Sequence, residues 1–277
     1  MNAKMMDDIA NAVLYEGYLL YPYRKSSIKN RQRWNFGVLY PRSYAERQSG
    51  SDASSMQTEC LVQGSLDATV HVRVRFLDLV EPASGEAVER EVSTIAGSSH
   101  PFSFESIEGL VETETQAMAD GLFKVRVRIH NTAAFEGATR EEALTRSMVS
   151  THTILSVVNG EFVSLLEPPD NLRDLTSRCQ NIGTWPVLVG DVGQRDAMLS
   201  SPIILYDYPK IAPESPGALF DGTEIDEILT LRIMTLTDQE KAQMGMSGDR
   251  AREILERTES MPAEQFMKLH GVFRGVA

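Results

Sequence analysis

The sequence predicts an α+β protein with a mostly antiparallel β-sandwich or open barrel at its centre. Two runs, VHVRVRF (Val70–Phe76) and FKVRVRIH (Phe123–His130), alternate apolar and polar residues with the period of two that is typical of half-buried strands. Asn159 and Gly160 stand between two apolar runs and predict a type I′ hairpin turn. The predicted order is an N-terminal helix and basic arm, the β-rich core, and a C-terminal helical tail.

This order divides the chain into three parts. Residues 1–47 hold the N-terminal helix and the arm, residues 58–208 form the β-rich core, and residues 209–277 form a proline-rich loop and a helical tail packed on the core. The small polar residues 48–57 are typical of a linker. A chain of 277 residues easily buries a core.

The helix predictions rest on periodicity and capping residues. Residues 7–18 form a short amphipathic helix that Asp7 or Asp8 can cap. Residues 105–119 and 138–147 each predict a short helix, and the second opens with Thr139. In the tail, helices are expected near residues 223–234, after the capping box at 237–240, and over 249–258 and 262–269.

Six further apolar stretches are strand candidates. They are Leu61–Leu66, Val88–Ile95, Met148–Val158, Glu161–Leu166, Trp185–Val189 and Pro202–Tyr206. The two alternating runs place cationic and histidine side chains on their solvated faces. These are His71, Arg73 and Arg75 in the first run and Lys124, Arg126, Arg128 and His130 in the second.

Composition is that of a globular protein, with a formal net charge of −12. This acidic balance argues against duplex nucleic acid as a partner, because phosphate binding requires excess Lys and Arg. No signal peptide or membrane-spanning stretch is expected. Cys60 and Cys179 lack metal-site spacing and are expected to be reduced, so the predicted location is cytoplasmic.

The most unusual stretch is the basic-aromatic arm, YPYRKSSIKNRQRWNFGVLYPRSY (Tyr21–Tyr44). It carries cations and aromatic side chains close together in an acidic protein. One interpretation is a platform for an anionic protein partner, with Arg side chains binding carboxylates and Trp34 stacking. A second is that the arm lies across the chain's own acidic region (Pro216–Glu227), with its aromatics filling core and its cations pairing within the chain or across a homodimer. A third is that it binds single-stranded nucleic acid. The candidate partner-binding residues are Arg24, Lys25, Lys29, Arg31, Arg33, Trp34, Tyr206, Tyr208, Glu214, Asp221 and Glu224.

Motifs for catalysis or cofactors are not apparent in the sequence. It has no GxSxG elbow, no phosphate-binding loop and no zinc spacing, so no catalytic residue, metal ligand or cofactor is assigned. One metal alternative remains open. His71, His130 and His152 could meet on one face if their strands are neighbours, with Cys60 or Glu161 nearby.

Two stretches carry a family resemblance. The arm (Tyr21–Tyr44) and LSSPIILYDYPKIAPESPGALFDGTEIDEILTLRIMTLTDQEK resemble an uncharacterised bacterial family encoded beside [NiFe]-hydrogenase structural and maturation genes of the actinobacterial type. The resemblance implies a non-enzymatic accessory or assembly protein that binds a hydrogenase subunit or maturation factor. The alternative is a protein, or a metal-dependent enzyme, that binds nickel, iron or zinc through His and carboxylate ligands on the β domain.

Overall fold

The architecture is a mostly antiparallel β-sheet with few helices. The computed structural model describes residues 7–11, 36–48, 50, 52–81 and 86–209, and isolated positions between 238 and 260. The strands in these ranges are β1 (Ser55–Glu81), β2 (Glu86–Ile95), β3 (Ser99–Ser103), β4 (Glu108–Ala119), β5 (Leu122–Asn131), β6 (Val149–Phe162), β7 (Trp185–Leu188) and β8 (Ala197–Ser201). The short helices are α1 (Arg42–Ala45), α2 (Arg140–Leu144), a 3-10 turn (Asp170–Leu172) and α3 (Arg173–Thr176), and residues 7–11 are also helical.

The sheet is organised around the long strand β1. Its strand order is β3-β4-β5-β1-β6-β8-β7, and β2 also pairs with β1. The first half of β1 pairs with β5 from Ser55 to Gln63, and its second half pairs with β2 from His71 onwards. β6 runs along the other edge of β1. β1 therefore pairs with β5 and β2 on one side and with β6 on the other.

Both halves of β1 contribute to the same core. Met56 and Cys60 from the first half and Val72 and Phe76 from the second belong to one buried cluster with residues of β4, β5 and β6. Side chains of a strand alternate between faces, so the sheet must curl to bring both halves around one interior. In the second half of β1 the even-numbered side chains from Val70 to Phe76 belong to this interior, whereas Arg73 and Arg75 lie on the other face.

Several sequence predictions are confirmed. The two alternating runs lie in β1 and β5, and Val88–Ile95, Met148–Val158 and Trp185–Val189 match β2, β6 and β7 closely. β1 joins Leu61–Leu66 to the first alternating run as one strand. The mostly antiparallel arrangement is confirmed as well.

The Asn159-Gly160 hairpin prediction is wrong. Both residues lie inside β6, which continues to Phe162. Asn159 has φ +57, the left-handed conformation that a type I′ turn would have required. The conformation serves a bulge instead, because the pairing of β1 with β6 shifts between Gly64 and Thr69.

The helix predicted over residues 105–119 is also wrong, since residues 108–119 form β4. β4 pairs along its length with β5, and its acids bond basic side chains of β5: Glu114 bonds Arg126 and Glu112 bonds His130. Cross-strand pairs of this kind stabilise a strand over the local helix preference of Glu and Ala.

Three boundary predictions need smaller corrections. The predicted strand Pro202–Tyr206 is not a strand, because β8 ends at Ser201. The predicted strand Glu161–Leu166 stops with β6 at Phe162. The predicted linker 48–57 is partly structured, since Ala53 accepts a backbone hydrogen bond from Tyr40 and β1 begins at Ser55. Most of the predicted tail lies outside the described residues.

The prediction that a helix opens with Thr139 is confirmed, and α2 begins with a capping box there. Thr139 Oγ1 accepts a hydrogen bond from the Glu142 backbone N–H at 3.2 Å, and the Glu142 carboxylate accepts one from the Thr139 N–H at 3.0 Å. These two bonds satisfy amides at the helix start and lower the pKa of Glu142.

Thr139→Ala is expected to lower the free energy of unfolding by about 1 kcal/mol, because it removes the acceptor of the cap. Chemical denaturation measures the change. Thr145→Ala at the other end of α2 is the control, with an expected change of about 0.5 kcal/mol or less. Equal losses in the two variants would show that the cap contributes no particular stability.

Candidate functional site

The structure places only part of the predicted binding set. Tyr206 and Tyr208 lie in the described ranges, and Tyr206 is 84% exposed. Tyr208 packs against the main core, and its backbone N–H donates to the Leu188 carbonyl at 2.7 Å. The other predicted residues lie outside the described residues: Arg24, Lys25, Lys29, Arg31, Arg33, Trp34, Glu214, Asp221 and Glu224.

What the structure does show is how the chain enters the basic-aromatic arm. Residues 7–11 lie on the outer face of the sheet. Asp7 Oδ1 accepts a hydrogen bond from Arg73 at 2.7 Å, and Asn11 Oδ1 accepts one from Arg75 at 2.8 Å. Between these contacts Ile9 and Ala10 are buried in a cluster with residues of β6, β7 and β8. One polar contact therefore stands at each end of a short apolar contact.

Residues 36–39, in the C-terminal part of the arm, make a second set of contacts with the sheet. Phe36 and Gly37 accept hydrogen bonds from the backbone N–H groups of Ser150 and Thr151, each at 3.0 Å, and Leu39 exchanges a pair with Met148. Gly37 has φ +54, and a Cβ there would lie 2.8 Å from Pro202. Only glycine fits this conformation and this close approach.

These two attachments lie at neighbouring positions of the sheet. Asn11 binds Arg75, and Arg75 is directly opposite His152 in the pairing of β1 with β6. Thr151, the residue before His152, donates its N–H to Gly37. Asn11 and Gly37 are therefore both bound where β1 and β6 pair.

The C-terminal aromatics of the arm contribute to packing. Tyr40 and Tyr44 are buried, with ring centroids 5.0 Å apart, and Tyr44 meets Phe135 edge-on at 6.0 Å. Asn131 donates to the Leu39 carbonyl, and Arg140 donates to the Tyr40 hydroxyl. For these two tyrosines the interpretation that the aromatics fill core is correct.

His152 is the buried titratable group at this junction. It is fully buried, and its Nδ1 lies 2.9 Å from the Ser150 carbonyl, which can only accept, so Nδ1 carries the proton. Nε2 is then an acceptor, and it finds no hydrogen-bond partner in the described part of the chain. Burial lowers the pKa of His152 to about 4, and Arg75 and Arg73 add to the shift.

The proposed histidine metal set is not brought together. His130 lies opposite Ser55 at the start of β1, whereas His71 lies on the second half of that strand. His130 bonds Glu112 at 3.0 Å. His71 and the residue opposite His152 are separated by four positions of β1, which is about 13 Å at the rise of a strand. Among the described residues no three His, Cys, Asp or Glu side chains form a group that could hold a metal ion.

The cationic side chains on the solvated face of β5 lie beside carboxylates. Arg126 bonds the buried carboxylate of Glu59 at 2.6 Å and the Glu114 carboxylate at 2.6 Å, and Lys124 lies 3.6 Å from Glu59. Arg128 lies 3.7 Å from Glu114. The predicted positions of these cations on one face are confirmed, and carboxylates neutralise them there.

Both cysteines are free, as the sequence predicted. Burial raises the pKa of the Cys60 thiol strongly, and burial raises that of Cys179 to about 11. Thiols with raised pKa values are poor nucleophiles and poor metal ligands near neutral pH. Neither residue is therefore a candidate reactive group.

Sequence reasoning found Arg73 and Arg75 as outward-facing side chains but missed their partners. Asp7 and Asn11 lie more than sixty residues earlier in the chain, and nothing in the local pattern links them to β1.

Within the described ranges no helix has the length and apolar character needed to cross a bilayer. Comparison of the sequence with protein-family models and with curated proteins finds no match.

Proposed function

We propose that this protein is a non-enzymatic accessory protein that binds a protein partner through its basic-aromatic arm. Following the family resemblance, the partner is a [NiFe]-hydrogenase subunit or maturation factor, and the complex forms in the cytoplasm. The observation that carries the proposal is that Asn11 and Gly37, two described residues on either side of 12–35, bind neighbouring positions of β1 and β6.

A segment held at both ends by a sheet is the usual arrangement of a binding loop on a scaffold. On the N-terminal side the contacts are hydrogen bonds of Asp7 and Asn11 with Arg73 and Arg75. On the C-terminal side they are two backbone hydrogen bonds to β6 and two to Met148, the residue before β6. Such attachment reduces the conformational entropy that the segment loses when it binds.

The charge of the arm indicates the chemistry of the partner. The arm carries Arg24, Lys25, Lys29, Arg31 and Arg33 beside Trp34, in a chain of net charge −12. An acidic surface on a protein partner complements the arm, while the rest of the chain repels duplex nucleic acid. Arginine is suited to such surfaces because its planar guanidinium binds carboxylates in a bidentate way.

Charge reversal in the arm tests the proposal. Arg31→Glu with Arg33→Glu is expected to weaken binding to the purified hydrogenase subunit or maturation factor by at least about tenfold, which biolayer interferometry measures. Arg173→Glu is the matched control, because Arg173 lies outside the arm, its side chain is 68% exposed and it pairs locally with Asp170.

Three outcomes would contradict the proposal. They are no binding of the wild-type chain to any hydrogenase component, equal binding by the arm variant, and an equal loss in the Arg173→Glu control. Stoichiometric nickel, iron or zinc in untagged protein would instead support the metal-binding alternative. Native mass spectrometry of the same sample reports whether the chain is a homodimer.

A further inference from the structure

The outer face of the sheet that carries residues 7–11 has the features of a peptide-binding face. It consists of Arg73 and Arg75 on β1 and an apolar patch that includes Ile154 and Leu199; we call it the docking face. Its present occupant is a short helical segment that offers a carboxylate, two apolar residues and an amide in succession.

The attachment of this occupant is limited. Asp7 and Arg73 keep 44% and 30% of their side chains exposed, and exposed ion pairs contribute little. Of the described residues 7–11, Ile9 and Ala10 are the buried ones. Occupancy by so few groups depends on the covalent link, which supplies a high effective concentration.

One polar atom near this face, Nε2 of His152, has no hydrogen-bond partner among the described residues. By strand alternation His152 faces the same side as Ile154, and it is opposite Arg75. Its Nε2 accepts a hydrogen bond from no described residue, although the side chain is fully buried. A buried acceptor without a donor is costly, and residues 7–11 do not supply that donor.

We propose that the docking face binds an amphipathic helix of a protein partner that presents a carboxylate to Arg73, and that residues 7–11 occupy the face as an intramolecular competitor. The identity of the partner rests on the proposed function, but the docking chemistry rests on the contacts above. Displacement of residues 7–11 would release the Asn11 contact, at which the chain enters the arm.

The test uses the full-length chain and a fluorescent peptide of residues 1–18, which contains the occupant residues 7–11, as the probe. Ile9→Asp in the full-length chain weakens its own occupant, so the peptide is expected to bind that variant at least about tenfold more tightly than wild type by fluorescence anisotropy. Asp7→Arg, which changes only a half-exposed contact, is the milder second variant and should act in the same direction.

The charge of the contact is tested by exchange. Arg73→Glu added to Ile9→Asp should reduce peptide binding by about tenfold, and a peptide carrying Asp7→Arg should recover it. Arg42→Glu added to Ile9→Asp is the matched control and should leave binding unchanged. Equal peptide binding by wild type and both weakened variants, or no effect of Arg73→Glu, would overturn the proposal.

Two further measurements separate this inference from its alternatives. If wild type is a dimer that Ile9→Asp converts to a monomer, the occupant is the segment of a second copy and the competitor proposal is overturned. If the arm variant loses the hydrogenase component while Ile9→Asp binds it as wild type does, the proposed function stands and this inference fails. Tighter binding of that component by Ile9→Asp supports both.

Discussion

Replacing Glu59 by alanine is expected to lower the free energy of unfolding by about 3 kcal/mol, because it removes the buried carboxylate that Arg126 and the Gln180 N–H share. The Glu59 side chain is only 1% exposed. Its Oε1 accepts from Arg126 Nε at 2.6 Å, and its Oε2 accepts from the Gln180 backbone N–H at 2.8 Å. One carboxylate thus joins β1, β5 and the loop after α3.

The pKa of Glu59 shows that these partners outweigh burial. Burial alone raises the pKa of the carboxyl, but the Gln180 N–H, Arg126 and Lys124 lower it, and the net direction is down. A carboxyl with a lowered pKa in the folded state stabilises the fold above its unfolded pKa, and this contribution is lost as the pH falls below it. Glu59→Ala is therefore expected to lose less stability between neutral and strongly acidic pH than wild type.

Glu114→Ala provides the matched control. Its carboxylate also bonds Arg126 at 2.6 Å but is 57% exposed, so its loss should cost less than about 1 kcal/mol. Urea denaturation of the two variants measures the difference. Similar losses at both positions would show that burial of Glu59 does not determine the stability of this network.

The strand pattern was predictable because it depends on local alternation. Val70–Phe76 and Phe123–His130 are half-buried strands whose sequence reports their two faces directly. β4 escaped prediction because its glutamates serve as cross-strand partners of Arg126 and His130, which only the fold brings opposite them. Local composition in such a strand resembles that of a helix.

The bulge at Asn159 shows a second limit. The residue adopts the left-handed conformation that the Asn-Gly signal predicts, but the fold uses it within β6 rather than in a turn. Local sequence specifies a backbone conformation, whereas the pairing partner decides what that conformation does. The hydrogen bonds from Arg73 to Asp7 and from Arg75 to Asn11 are likewise decided by the fold, because they join residues far apart in the chain.

Stability is expected to fall by about 2 kcal/mol between pH 7 and pH 5, because His152 must remain neutral in the folded protein. Burial lowers its pKa from 6.5 to about 4, with Arg75 and Arg73 adding to the effect. Between these two values the unfolded chain binds the proton and the folded chain does not, so acid favours unfolding. The lowered pKa values of Glu59, Glu142 and Asp67 act at lower pH, below their ordinary range.

His152→Leu removes the titrating group and should abolish most of this fall, although it also removes the hydrogen bond to Ser150 and lowers stability at pH 7. The slope of unfolding free energy against pH, measured by urea denaturation at several pH values, separates the two effects. His71→Leu, which removes an exposed imidazole from β1, is the matched control and should keep the fall. A fall of the same size in His152→Leu would contradict the prediction. The acid sensitivity would then come from groups other than His152.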